Sequence, residues 1–502
     1  MTRLAEADPS ADRSLYDRVP YPGYPYAQTD PDRLATLAML FGLKPPALET
    51  CRVLELGCGD AANLVSLAVS YPDASFLGID AAQSAVARAR ALVAALGLTN
   101  VALDEEALER MQPTPGGFDY VIAHGVYSWV APPVRDRLLA LCRSALSAHG
   151  VAYVSYDALP GGRLKQAMRE MLAFHTLGVE DPHERLERAR SLLHLLIDGW
   201  SAEHEFGAVM RLEAERLLAR SDQTLLHDEL AAVNEPVYFH EFAAHAARHG
   251  LQYLAEADFF EIQTGALPER ASEQLIGVDD PLVREQYLDF LKGRRFRQTL
   301  LCQAELALDR SPRPLLVMPL AVSSSARSSG SDRSGRTTFE GPTGGTLTTD
   351  HPLVIRALES VGESWPGAVW VRDLVPEHAG DDDQRAVCDA LLRCYAGGLV
   401  QLHMRPPRLT TRVSERPEAS PLARHQAESG HLVTNLRHQV VKIEDALGRR
   451  LVTLLDGSRD RTTLASELRA CLLEADLEEP DDLEDGLARS LEGLAGLALL
   501  RS

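Results

Sequence analysis

The residues with the clearest chemistry lie in Val53-Leu54-Glu55-Leu56-Gly57-Cys58-Gly59-Asp60. An apolar strand runs there directly into a glycine turn, and a helical stretch follows from Ala61. Glycine lacks a Cβ and tolerates positive φ, so the backbone of such a turn can approach a ligand closely. A second acid, Asp80, ends Gly78-Ile79-Asp80 and stands 21 residues after Gly59. That is near the spacing of about 20 at which a carboxylate on the second strand reaches the ribose hydroxyls of a nucleoside. Two phosphate-binding readings compete with a third. The Gly-Lys-Ser/Thr ending of a P-loop is absent. A dinucleotide site remains open by spacing, with Ala62 at the third glycine position. Asp60 beside the turn would repel a pyrophosphate, however. An acidic turn better suits a nucleoside with a cationic centre and no phosphate. S-adenosylmethionine, with its sulfonium and ammonium, is such a ligand.

These residues need a parallel sheet to position them. Strand-like runs at Arg52–Leu56, Ser75–Ile79, Val101–Leu103, Tyr120–Ala123 and Val151–Ser155 alternate with helical stretches at 62–70, 82–96 and 133–147. That alternation predicts an α/β fold with helices covering a parallel sheet, Rossmann-like in its binding end. Residues 1–50 are expected to form an aromatic, proline-rich lid segment followed by a helix, and residues 51–175 the binding domain. Residues 176–320 read as helical, from the 3.6-residue period of Arg185–Ile197, Phe206–Leu218 and Phe239–His249. The stretch 321–350, poor in apolar residues, reads as a flexible linker. Residues 351–502 read as one or more winged-helix-like modules.

The chain has 502 residues and a formal net charge of −21, which disfavours a nonspecific nucleic-acid binder. Its seven cysteines include no CxxC pair, so neither a zinc knuckle nor a disulfide framework is expected. No metal site is expected either. His240-Glu241 with His245 lacks the HExxH spacing, and His245 with His249 reads as a surface pair. No apolar run approaches the roughly 18 residues of a membrane helix, and the first residues do not read as a signal peptide. The expected location is the cytoplasm.

The turn and its acid resemble the class I methyltransferase motifs. A narrower similarity runs along nearly the whole chain, to bacterial methyltransferases carrying a methyltransferase regulatory domain. It is carried by Tyr16-Asp17 with Val19-Pro20-Tyr21-Pro22, by Phe118-Asp119-Tyr120-Val121-Ile122-Ala123-His124-Gly125-Val126-Tyr127-Ser128-Trp129-Val130, and by Val154-Ser155-Tyr156-Asp157-Ala158-Leu159-Pro160-Gly161. Farther on, Leu226-His227-Asp228-Glu229-Leu230, Gly250-Leu251-Gln252-Tyr253-Leu254 and Phe296-Arg297-Gln298-Thr299-Leu300 continue it, and Leu454-Leu455-Asp456-Gly457 fits the C-terminal module. Asp157 stands where the family has Asn, and Gly162 where it has Trp. The resemblance implies S-adenosylmethionine as cofactor, held by Glu55, Gly57, Cys58, Gly59, Asp60, Asn63 and Asp80, with Tyr16 and His124 beside them. Ala107 stands where such enzymes often carry an adenine-contacting Asp, and Glu106 is the nearest acid. Characterised members are similar to protein lysine methyltransferases, which implies a protein substrate.

Methyl transfer from a sulfonium is an in-line displacement with a good neutral leaving group, so positioning is the main task. A lysine nucleophile must be neutral, against a free pKa near 10.4, and therefore needs a desolvating pocket or a proton acceptor. His124, Tyr127 and Trp129 follow the fourth strand; Tyr156 and Asp157 follow the fifth. Tyr21, Tyr24 and Tyr26 belong to the lid. The expected catalytic residues are accordingly His124, Tyr127, Tyr156 and Tyr21, and the substrate contacts Trp129, Tyr24 and Asp157, the last as a proton acceptor. The partners expected are a protein substrate and a second copy of the chain, with no nucleic acid and no membrane insertion. The alternatives are a small-molecule or lipid methyltransferase, or a non-catalytic S-adenosylmethionine-binding interaction protein.

Overall fold

The structure, a computed structural model, describes residues 18–201, 203–342, 344–474 and 482–501. Its centre is a seven-stranded sheet of β1 (Arg52–Leu56), β2 (Ser75–Asp80), β3 (Val101–Glu105), β4 (Phe118–Ala123), β5 (Leu146–Asp157), β6 (Leu251–Glu256) and β7 (Phe296–Gln303), in the order β3-β2-β1-β4-β5-β7-β6. β1 to β5 are parallel, and β7 runs antiparallel to both of its neighbours. Val53 to Leu56 are buried, as an apolar strand covered on both faces must be. The strand order reverses between β1 and β4. A crevice is therefore expected at their C-terminal ends, beside the turn that follows β1.

The boundary read at residue 175 does not divide the molecule as expected. The helical stretch 176–320 holds the helices Pro182–Gly199, Glu205–Leu218 and Phe239–Arg248, but it also supplies β6 and β7, which complete the sheet. Short buried strands such as these carry no periodicity that separates them from helix. β7 is held in place by Arg297, fully buried among Glu256 on β6 at 2.6 Å, Asp289 at 2.9 Å and Glu285 at 3.1 Å. Its guanidinium also lies 3.9 Å over the Phe239 ring.

The stretch 321–350 is not a linker in the structure. β8 (Ala321–Ser323) lies between β12 (Val369–Trp370) and β13 (Gln401–His403), while β9 (Arg327–Ser331), β10 (Thr337–Glu340) and β11 (Thr346–Thr349) form an antiparallel sheet. Its many serines and threonines suggest a loop, but backbone pairing and one buried ring, Phe339, suffice to order it. Val322 and Phe339 share a core with Leu391 and with Val53 of the central sheet, so this module is continuous with the sheet domain. The last unit has its own core, including Leu451, Leu464, Leu491 and Leu499, around the hairpin β14 (Leu432–Thr434) and β15 (Val440–Lys442). Among the described residues, no helix is long and apolar enough to cross a membrane.

Candidate active site

The turn after β1 has the conformation its glycines permit, with φ of +76° at Gly57 and +55° at Gly59. A Cβ at Gly57 would meet Val126 Cγ2 at 2.7 Å, whereas one at Gly59 would point into open space. Asp80 braces the turn: its Oδ2 accepts the Gly59 N–H at 2.8 Å and its Oδ1 accepts the Ala82 N–H at 2.8 Å. Burial raises the Asp80 pKa, and these amides oppose the shift. The Glu106 N–H donates to the Asp80 carbonyl at 3.0 Å, bringing Glu106 and the buried Ala107 beside the same strand end. Cys58 is buried against β2, its Sγ occupying the space a side chain at Gly78 would need.

Glu55 lies beneath the turn. Its Oε1 accepts from Asn63 Nδ2 at 2.8 Å, and its buried Oε2 has no partner among the described residues. Burial pushes its carboxyl up to about 8. Asn63 is a hub. Its Oδ1 accepts from the Tyr26 N–H at 2.8 Å, Thr29 Oγ1 at 3.2 Å and His438 Nε2 at 2.8 Å. Both ends of its amide are engaged by protein, so Asn63 positions Glu55 and the strap beside the turn.

The proline-rich segment crosses this turn as a strap. Gly23 packs on Asp60 so closely that a Cβ there would lie 1.9 Å from Asp60 Oδ1. Tyr26 stacks on His124 with ring centroids 3.6 Å apart. Tyr21 donates to Asp228 Oδ1 at 3.3 Å and meets the His227 ring edge-on. Tyr24 is exposed. Tyr16 lies outside the described residues.

His124 ends the approach from β4. Its Nδ1 is 2.9 Å from the Tyr153 hydroxyl and 3.3 Å from Ser155 Oγ, and Phe296 meets its ring edge-on at 6.0 Å. Burial lowers its pKa to about 4, so the ring is neutral at pH 7. Side chains alternate along β5. Tyr153 and Ser155 therefore face His124, and Tyr156 faces the other way. Tyr156 is fully buried, stacked on Phe242 at 4.1 Å and paired with Thr299 Oγ1 at 3.1 Å. Tyr127 is likewise buried, its hydroxyl 2.8 Å from His245 Nδ1. Both tyrosines pack under the helix Phe239–Arg248, with their hydroxyls engaged by His245 and Thr299. Asp157 is also engaged: Lys165 Nζ and Asn234 Nδ2 each donate to its Oδ2 at 2.9 Å, and Lys165 lies 5.4 Å over the Trp129 ring. A carboxylate held in that ion pair is not a free proton acceptor. Lys165 and Glu229, 3.7 Å apart, escaped the sequence reading because nothing local marks their pairing. Tyr153, Ser155, Phe296 and His438 escaped it for the same reason; only the alternation along β5 could have singled out the first two.

Three family models match the chain: a methyltransferase domain over residues 53–150, a predicted methyltransferase regulatory domain over 221–303, and a PKMT C-terminal winged helix domain over 415–486. An uncharacterized protein of Rickettsia prowazekii is 33% identical over 240 residues, which cover 48% of this chain and 96% of that relative. The chain belongs to the S-adenosylmethionine-dependent methyltransferases that carry a methyltransferase regulatory domain. A second uncharacterized R. prowazekii protein is 41% identical over 304 residues, 60% of this methyltransferase-family chain and 55% of the relative's own length. Among solved structures, PKMT2 from Rickettsia typhi matches with a TM-score of 0.84 at 26% identity, over 96% of this chain and 100% of that one. The same protein is also known in complex with AdoHcy, matching at 25% identity, a TM-score of 0.84 and the same coverage. The winged-helix match, over 415–486, falls within the stretch 351–502 read as winged-helix-like.

The residues at the crevice fit S-adenosylmethionine. The space over Gly59 is open, the Asp80 carboxylate sits at the strand end, and the orphaned Glu55 Oε2 lies beneath the turn. No basic side chain among the described residues contacts Asp60, Asp80 or Glu55 through a hydrogen bond or an ion pair at 4.0 Å or less, which suits a cationic ligand and not a pyrophosphate.

Proposed function

We propose that this chain transfers a methyl group from S-adenosylmethionine to a lysine amine of a protein. The observation that carries the reading is the extent of the likeness to PKMT2, which takes in 96% of this chain and 100% of that one. Gly57 and Gly59 would admit the methionine portion, and Asp80 would hold the ribose hydroxyls. The cofactor, when bound, supplies an electrophilic methyl on a sulfonium; the rest is positioning by the chain.

The strap and His124 prepare the acceptor's side. Tyr26, His124 and Phe296 make an aromatic surface, and His124 is neutral, so it adds no charge against an incoming ammonium. Aromatic faces attract the cation, and desolvation there lowers the pKa of the amine toward its reactive neutral form. Phe296 also borders a cavity of about 200 Å³ lined by Glu256, Asp258, Glu261, Arg294 and Gln298. Glu256 is paired with Arg297 and Glu261 with Arg294 and Lys292, so Asp258 is the carboxylate there that would meet a lysine ammonium. The strap is pinned by Tyr21 to Asp228, within the regulatory-domain match, so the entrance is shared between modules, as a macromolecular substrate requires. A cytoplasmic location, a homodimer and the absence of a nucleic-acid partner complete the reading, the last supported by the net charge of −21.

The test is radiolabelled methyl transfer onto a demethylated cell extract, run beside Asp80→Ala. Label in protein, recovered as methyl-lysine after hydrolysis and lost in the variant, supports the proposal. Label in extractable small molecules supports the small-molecule or lipid alternative, and no label in either supports a non-catalytic role.

A further inference from the structure

We propose that Asp136, His245 and His249 form a binding site for a divalent transition metal of the zinc class, clamping the helix Pro132–Ala145 to the helix Phe239–Arg248. His245 and His249 are one helical turn apart, so both rings project from the same face. Asp136, 109 residues before His245, is brought to that face by the fold: its Oδ1 lies 3.3 Å from His245 Nε2 and 2.9 Å from His249 Nε2. One ligand atom from each residue lies within 4.8 Å of the other two. Tetrahedral ligands at about 2.0–2.2 Å from zinc stand roughly 3.3–3.6 Å apart, so small side-chain shifts would close the set around an ion.

The site has the supporting contact a metal-binding histidine needs. The Tyr127 hydroxyl is 2.8 Å from His245 Nδ1, on the side of the ring away from Asp136. In the metal-free site Nε2–H donates to the Asp136 carboxylate and Nδ1 accepts from the Tyr127 hydroxyl; when an ion takes the Nε2 lone pair the ring proton moves to Nδ1, where the same hydroxyl accepts it, so this outer contact holds the ring's orientation in both states. Tyr127 is buried, so its hydroxyl is held in place beside the ring. The histidines are mostly buried, whereas the Asp136 side chain is 63% exposed, leaving an open side for water. Two imidazoles and one carboxylate suit zinc, cobalt or nickel better than magnesium or calcium, which prefer all-oxygen sets. Arg248 lies near His245 and opposes the cation, an effect the Asp136 carboxylate offsets. The site lies on the far side of Tyr127 from the crevice. It would join the sheet domain to the regulatory-domain match without touching the methyl-transfer residues.

The full chain, stripped with chelator and dialysed, is titrated with Co²⁺ and then with Zn²⁺ near pH 7.5. The expected result is one Co²⁺ per chain with visible d–d absorption, displaced by one equivalent of Zn²⁺. His245→Ala and His249→Ala should each weaken Co²⁺ binding by on the order of 100-fold, since losing a ligand costs at least as much as losing an outer-shell contact. Should either variant lose its fold by circular dichroism, Asp136→Asn, at an exposed side chain, carries the same test. Absence of a stoichiometric Co²⁺ spectrum overturns the proposal, as does a spectrum that persists unchanged in folded variants of these residues.

Discussion

His438 donates from Nε2 to Asn63 Oδ1 at 2.8 Å, joining residues 375 apart in the chain. His438 sits at φ +59° between β14 and β15, and its Nδ1 faces the Ser66 hydroxyl. Because the Asn63 oxygen can only accept, His438 carries its proton on Nε2 and receives the Ser66 hydroxyl proton at Nδ1. Asn63 in turn holds Glu55 and the Tyr26 backbone. The C-terminal module therefore reaches the floor of the cofactor crevice and the strap through one amide.

Removing that contact should be felt at the crevice. In His438→Ala, Asn63 and Ser66 lose a buried partner, a loss worth about 1–3 kcal/mol of stability. S-adenosylmethionine affinity should fall several-fold as the strap and Glu55 loosen. Calorimetric titration beside a denaturant melt separates the effects. Lowered stability with unchanged affinity would show that the module is packed there without being coupled to the crevice.

The same residue predicts an acid response. Burial lowers the His438 pKa to about 3, against an ordinary value of 6.5. Between these values the unfolded chain binds a proton that the folded chain does not, so this contribution to stability is lost as pH falls below about 6.5. The slope is about 1.4 kcal/mol per pH unit for one such group. A folded His438→Gln variant should show a shallower decline than the parent in melts between pH 7 and pH 5; parallel curves would argue that His438 is protonated in the fold.

Glu55 carries the opposite sign. Its carboxyl is raised to about 8, so it is mostly protonated at pH 7, and its share of stability falls as pH rises from about 4.5 through 8. A cationic ligand beside it favours the carboxylate. Binding of S-adenosylmethionine should therefore release a fraction of a proton near pH 7 and tighten as pH rises toward 8. Titrations in buffers of different ionisation enthalpy measure this release, and Glu55→Gln should abolish it while retaining the Asn63 contact.

The aromatic residues should divide by location. Tyr26→Phe keeps the stack on His124 and should retain most activity, whereas Tyr26→Ala should lose a ring contact worth about 0.5–1.5 kcal/mol beyond its buried area, with a fall in turnover of tenfold or more. Tyr156→Phe should cost about 1 kcal/mol of stability for its buried hydrogen bond and leave turnover within a few-fold. A collapse of turnover in folded Tyr156→Phe would restore that residue to the chemistry.

Arg297→Ala leaves buried Glu256 without its counter-ion and Asp289 and Glu285 with Arg294 alone, and should destabilise the fold by about 3–5 kcal/mol. Chemical denaturation measures the loss, and a change under 1 kcal/mol would mean that the neighbouring Arg294 compensates.

The sheet from β1 to β5, the glycine turn and the strand-end acid Asp80 were legible in the sequence, because strand, turn and helix signals are local and the spacing of Gly59 and Asp80 follows from one connecting helix. β6 and β7 were not legible, since a short buried strand has no period of its own. Nor was the order of the residues 321–350, whose pairing comes from backbone groups that composition does not reveal. At the site, the strap's aromatic character was visible but not its partners. Only the fold turns Tyr156 into the core while its neighbour Ser155 faces His124, through the two-residue alternation of β5. Only the fold also delivers His438 to Asn63 and Asp136 to the two histidines. Contacts between residues hundreds of positions apart leave no local trace, so chain order determined which chemistry is available and packing decided which residues meet to perform it.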